Sequence, residues 1–147
     1  MEIQNEQQQL TAPTAPLFTT NHIRFGTFLG GPLVAGYYFA QNYKAFGDAG
    51  RARAAWIYAS AATVAITALF ISIPQTVNIP DIVFPIAYCW AAYYLAEHLQ
   101  GAQINAHNAA GGSFFGWGRV IVAGLIGMFI TLIFIVILVA FTTDLNG

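Results

Sequence analysis

The stretch Val120–Phe141, VIVAGLIGMFITLIFIVILVAF, decides the fold class, because it runs for 22 residues without a charge. About 20 apolar residues, each rising about 1.5 Å in a helix, cover the roughly 30 Å hydrocarbon core of a bilayer. Its many β-branched side chains would favour a strand in water, but a lone strand in lipid leaves its backbone groups unpaired. The stretch therefore predicts a transmembrane helix.

The composition of the whole chain agrees with a membrane protein. Of the 147 residues, 57% are hydrophobic and 7% are charged, whereas a soluble domain usually carries about 25% charged residues. The net charge of −1 provides no basic excess for nucleic acid, which is excluded as a partner. The single cysteine, Cys89, excludes a disulfide within the chain.

Three weaker apolar stretches precede the decisive one. Residues 54–73 lie between two arginines and a proline, and residues 82–99 are rich in tyrosine and tryptophan. Residues 25–43 contain Gly30-Gly31-Pro32, a run that either interrupts a helix or starts one. We predict an all-α integral membrane bundle of four transmembrane helices, the first of them short or broken, at about 25–43, 54–73, 82–99 and 120–141.

The first 22 residues differ in character from the rest. They are rich in glutamine, carry two glutamates and lack the basic start and apolar run of a signal peptide. We interpret residues 1–22 as a flexible polar tail and residues 23–147 as a single transmembrane helical domain.

The five basic residues predict the orientation. Lys44, Arg51 and Arg53 fall in the first predicted loop and Arg119 in the third, whereas Arg24 alone lies at the mouth of the first helix and the second loop has none. The positive-inside rule then puts loops one and three in the cytoplasm and both termini outside it. If the first stretch does not span, the N-terminal tail moves to the cytoplasmic side.

Small residues predict where the helices touch, because helices in lipid associate through close packing rather than a hydrophobic drive. Each helix has one candidate face for packing within a bundle or against a second copy. The faces are Gly36 and Ala40; Ala61, Ala65, Ala68 and Ser72; Cys89, Ala92, Tyr93, Ala96, Glu97 and Gln100; and Ala123 and Gly127.

Glu97 is the first of the candidate functional residues, because an ionisable group within a membrane is costly and often functional. The simpler interpretation puts it at the headgroup boundary, paired with Arg119, Arg51 or Arg53. We favour this second interpretation, since residue 97 lies at a predicted helix end.

His98 and the three arginines, Arg119, Arg51 and Arg53, are the other candidates. Together with Glu97 and His107, His98 could bind a metal, or the histidines could sense pH, although loop histidines are more often simply solvated. The sequence shows no catalytic set, cofactor motif or complete metal site, so we expect none and do not expect an enzyme.

One part of the sequence resembles a known group of proteins. Gly30-Gly31-Pro32-Leu33, Gly36-Tyr37, the run Asn42–Gly47 and the segment Gly111–Arg119 carry the likeness. They are similar to a family of small uncharacterised bacterial multi-pass membrane proteins, in which a Gly-Pro-Leu turn opens a helix and an Asn followed by a basic residue and Gly closes it. The resemblance implies the bacterial inner membrane and assigns no functional residue.

Three functions fit these observations. We favour a structural or accessory subunit that forms a homo-oligomer or joins a larger complex in the lipid bilayer. A small transporter or channel subunit is the first alternative, with polar candidates at Gln41, Asn42, Thr63, Thr67, Tyr93 and Glu97. A membrane immunity protein is the second.

Overall fold

A computed structural model describes residues 14–74, 76 and 78–145. Most of the predicted polar tail, residues 1–13, lies outside the described residues. The rest of that segment is no tail, because Leu17 and Phe18 are fully buried and the first helix has already begun at Thr20.

The described residues are helical apart from short connections and one isolated bridge between Leu17 and Phe114, which confirms the all-α class. The five helices are α1 (Thr20–Gly30), α2 (Pro32–Ala45), α3 (Ala49–Ser72), α4 (Val83–Ala109) and α5 (Trp117–Leu145).

The first apolar stretch is not one helix but a helical hairpin made of α1 and α2. Phe18, just before α1, hydrogen-bonds to Asn42 near the end of α2, so the two helices are antiparallel. A Cβ atom added at Gly26 would overlap the ring of Tyr38, which shows that this side chain of α2 packs directly on the backbone of α1. The prediction of one transmembrane helix over 25–43 was therefore wrong, whereas the predicted break at Gly30-Gly31-Pro32 is present.

The turn of the hairpin follows from Gly30-Gly31-Pro32. Gly31 has φ +80° and ψ −175°, a backbone conformation that is essentially restricted to glycine. Pro32 then opens α2 at its first turn, where the missing N–H costs no hydrogen bond. The run both ends one helix and begins the next.

The hairpin lies at the centre of the fold. Its α1 packs against α4 and α5, and its α2 packs against α3, whereas the three long helices make few contacts with one another in the described chain. Glycines allow the close approaches. A Cβ at Gly36 would overlap that of Ala59 on α3, and a Cβ at Gly127 on α5 would overlap a methyl group of Val34.

Two of the predicted helix boundaries also differ. α3 begins at Ala49 rather than 54, because the Asp48 carboxylate accepts the N–H of Arg51 at 2.8 Å and caps the helix. α4 continues to Ala109 rather than ending at 99. The added segment is polar, but it buries three residues at helical spacing: Gln100, Ile104 and His107. Their burial stabilises the extension as a helix.

Two described helices, α3 and α5, are long and apolar enough to cross a membrane, rather than the four predicted. α1 and α2 are too short, with 11 and 14 residues. α4 is long, but its tyrosines, tryptophan and polar residues lower its hydropathy.

We call the end of the bundle that holds Leu17 and the start of α5 the near end, and the opposite end the far end. Leu17 donates to Ser113 just before α5, whereas the C-terminal end of α5 is about 43 Å away along the 29-residue helix. The prediction of both termini on one side of a membrane does not fit this arrangement if α5 spans.

Candidate functional site

The near end contains a buried polar cluster centred on Asn42, a residue with no exposed surface. Its side-chain oxygen accepts the N–H of Phe18 at 2.8 Å, and its amide nitrogen donates to the carbonyl of Phe18, also at 2.8 Å. The Asn42 amide group therefore bonds both the N–H and the carbonyl of Phe18, as the backbone of a neighbouring β-strand would. It holds the start of α1 against the end of α2.

Gln100 of α4 extends the cluster. The Asn42 amide donates to the Gln100 side-chain oxygen at 3.0 Å, and the Gln100 amide donates to the carbonyl of Phe39 at 3.1 Å. Gln100 is 1% exposed, so these bonds form away from water, where an unmade bond costs most. The pair joins the hairpin to α4.

His107 anchors the loop between α4 and α5. Its Nε2 lies 2.8 Å from the carbonyl of Ser113 and must carry the proton, because a carbonyl only accepts. Its Nδ1 is buried and has no hydrogen-bond partner among the described residues. A Cβ at Gly112 would overlap the imidazole, so the loop backbone passes directly over the ring.

His22 belongs to the cap of α1. The Thr19 hydroxyl accepts the N–H of His22 at 3.1 Å, and the His22 Nδ1 accepts the N–H of Thr19 at 3.3 Å. Burial lowers the pKa of His22, because the charged ring loses water. The neutral ring is also the form whose Nδ1 can accept a hydrogen bond.

Arg24 is a residue of α1, and its side chain extends to α4. Its guanidinium is 5.2 Å from the ring centroids of both Trp90 and Tyr93, within the range of a cation–π interaction. Aromatic rings thus take the place of an acidic partner for this half-buried cation.

The structure does not bring the five candidate residues together. Glu97 and His98 are exposed on α4, and Arg51 pairs with Asp48 at 3.3 Å, the one ion pair in the described residues. The predicted pairing of Glu97 with an arginine is therefore wrong.

The remaining two arginines are exposed at the near end. The guanidinium of Arg119 lies 4.2 Å from the Phe115 ring centroid, and Arg53 is on the first turns of α3. His107 is buried rather than solvated, so its simpler interpretation was wrong, whereas His98 is exposed as expected. Within the described ranges no three His, Cys, Asp or Glu side chains are grouped to hold a metal ion.

Sequence reasoning missed the Asn42–Gln100 pair as a structural unit. The sequence predicts Asn42 as part of a polar pathway and, through the resemblance, as a residue that closes a helix, whereas it predicts Gln100 as part of a packing face. A signal was present, since both are uncharged amides at the ends of apolar stretches. Their partnership depends on the hairpin turn, which brings Asn42 back to the near end.

No protein-family model matches the chain, and neither the curated proteins nor the solved structures contain a match. The resemblance to small bacterial membrane proteins therefore stays a prediction.

Proposed function

We propose that the chain is an integral membrane protein in which α3, α4 and α5 cross the bilayer. The length and apolar composition of α3 and α5 support this arrangement. Phe70 of α3 contacts Phe84 of α4 at the far end, with ring centroids 5.5 Å apart, and His107 of α4 contacts Ser113 at the near end. If α3 and α5 span, α4 must cross between them.

In this arrangement the hairpin enters the bilayer from the near end, and its chain returns to the same end. The Thr131 hydroxyl donates to the carbonyl of Gly30 at the hairpin tip at 3.3 Å. Thr131 lies 14 residues along α5 from Trp117, or about 21 Å, roughly half of the helix. The near end carries Lys44, Arg51, Arg53 and Arg119, which favours the cytoplasmic side for it, and the resemblance above favours a bacterial inner membrane.

Cysteine labelling should distinguish this topology from four spans. Single cysteines in a Cys89→Ser background would be tested on intact cells with an impermeant thiol reagent, at positions 10, 49, 77, 108 and 146. We expect labelling at 77 and 146 only, because positions 49 and 108 belong to the near end and position 10 precedes Leu17, which also lies there. Labelling of position 10 together with 77 and 146 would instead indicate a first helix that spans.

We propose that the protein serves as a structural or accessory subunit of a membrane complex, either as a homo-oligomer or with a different partner. One observation carries this proposal. Because the hairpin ends halfway along α5, none of the described α5 side chains beyond Gly127 is buried, and Leu69, Phe70 and Ile71 of α3 are exposed at the same level. The far halves of the long helices are thus free to pack against another membrane helix.

A tryptophan substitution on this open surface tests the proposal. We expect protein extracted in a mild detergent to retain a partner, or a second copy, at a fixed ratio by native mass spectrometry. Ile137→Trp, at a side chain 62% exposed on the far half, should lose that partner because the larger ring prevents close packing. Ile121→Trp, on the near half of the same helix, is the control. A wild-type protein that is always a single chain would contradict the proposal.

Three of the six polar candidates for a transport pathway have hydrogen-bond partners within the fold. The hydroxyls of Thr63 and Thr67 donate to the carbonyls of Ala59 and Thr63, one turn earlier in α3. Asn42 is committed to Phe18 and Gln100. These groups are satisfied within the fold, so we do not propose a channel, and nothing described favours an immunity protein.

A further inference from the structure

An apolar groove runs along α5 on the near half of the bundle. It has a volume of about 330 Å³ and lies in the gap between α3 and α5, and residues of α2 form its floor. Six of the residues that line it define its length and walls: Leu33, Tyr37, Trp56, Arg119, Ile126 and Ile130.

The length of the groove matches one leaflet of a bilayer. Arg119 and Ile130 are 11 residues apart on α5, or about 16 Å, and half of a 30 Å hydrocarbon core is about 15 Å. Its walls are hydrocarbon and aromatic over nearly this whole length, and its near-end mouth carries Arg119. The groove therefore has the shape of a slot for one acyl chain with a cation at the headgroup level.

The charge at the mouth is positive and uncompensated. Arg53 precedes Trp56 by three residues on α3 and so lies on the same helix face, one turn nearer to the end. Neither Arg53 nor Arg119 forms an ion pair in the described part of the chain, and no acidic residue lines the groove.

We propose that this groove binds an anionic phospholipid from the near-end leaflet. One acyl chain lies along α5 between Trp56 and Ile126, and the phosphate lies between Arg119 and Arg53. The positive mouth selects an anionic headgroup over a zwitterionic one, because an arginine at a membrane surface attracts anionic lipid about fivefold. Lipid bound here fills the space that α3 and α5 leave beside the hairpin. This site is on the near half and is separate from the surface proposed for a partner.

Competition between two lipids tests the proposal. Purified protein in mild detergent would be equilibrated with equal amounts of phosphatidylglycerol and phosphatidylcholine that have the same acyl chains. Native mass spectrometry then counts the lipids retained. We expect the wild type to retain one phosphatidylglycerol with at least a fivefold preference.

Two pairs of variants complete the test. Arg119→Gln should reduce the preference about fivefold, whereas Arg51→Gln, which removes the same charge next to Asp48, should not. Ile126→Trp should expel the lipid by filling the groove, whereas Ile121→Trp, outside the groove lining, should retain it. Because Ile126 is 55% exposed, its substitution leaves the core intact.

Several outcomes would overturn the proposal. Equal retention of the two lipids by the wild type would mean that the groove has no headgroup selectivity. Equal losses in Arg119→Gln and Arg51→Gln would mean that only net charge matters. Retention of phosphatidylglycerol by Ile126→Trp would locate the lipid elsewhere, and a second protein chain in place of lipid would make the groove a protein interface.

Discussion

Replacing Asn42 with alanine is expected to lower the free energy of unfolding by about 3 kcal/mol or more, since it leaves three buried polar groups without a partner at about 1–3 kcal/mol each. The change removes the partner of the Phe18 N–H, the Phe18 carbonyl and the Gln100 side-chain oxygen. All three lie in the near-end cluster, where water cannot easily replace the lost bonds. The measurement is a denaturant titration in detergent micelles followed by circular dichroism.

The neighbouring residue provides the control for this change. Gln41 is half-buried, has a similar amide and makes no hydrogen bond through its side chain in the described chain. Gln41→Ala should therefore change stability by less than about 1 kcal/mol, as for most substitutions away from a buried network. If Asn42→Ala were no worse than Gln41→Ala, the cluster would not be what joins the hairpin to the rest of the molecule.

Replacing Gly127 with alanine should separate the hairpin tip from α5 and cost about 1–3 kcal/mol, the usual range for overpacking. The new Cβ would overlap a methyl group of Val34, whose β-branched side chain has little freedom to rotate away. The measurement is the same denaturant titration. Gly118→Ala is the matched control, because nothing lies within 4 Å of a Cβ there and alanine favours a helix.

A second substitution tests whether the Gly127 effect comes from this contact. Val34→Ala removes the methyl group that the new Cβ would meet. Gly127→Ala should then cost less in the Val34→Ala background, with a coupling energy of about 0.5–3 kcal/mol, as expected for residues in contact. Additive losses would show that the tip does not pack against α5 at this point.

The sequence was sufficient for the helical class, because a run such as Val120–Phe141 has no stable alternative in lipid. It could not reveal the hairpin, although the decisive residues were recognised. Gly30-Gly31-Pro32 is compatible with a kinked helix that continues in the same direction and with a turn that reverses the chain. The conformational preferences of these three residues do not distinguish the two. The reversal depends on Phe18, Asn42 and Gln100, which are far apart in the chain.

The packing faces of the helices also depend on residues that are far apart in the chain. On the predicted α4 face, four residues are buried (Cys89, Ala92, Ala96 and Gln100), whereas Tyr93 is half-buried and Glu97 is exposed. On α3 the prediction was wrong: Ala59, Thr63 and Thr67 are buried, and the predicted alanine face is exposed. Alanine occurs all around α3, so the face was set by where Gly36 of α2 leaves room, which is not a local property of α3.

The position of the hairpin at the start of the chain has a consequence for biosynthesis. Its contacts reach far ahead in the sequence: Tyr38 donates to the carbonyl of Val120, 82 residues later, and Gly30 accepts from Thr131, 101 residues later. At about 5–20 residues per second, the ribosome needs roughly 5–20 s to make that length. Throughout this interval the nascent hairpin lacks its contacts with α5, although α3 and α4 become available earlier. The packing of α1 is therefore complete only after α5 has been synthesised, and a chain stopped before α5 leaves one side of the hairpin uncovered.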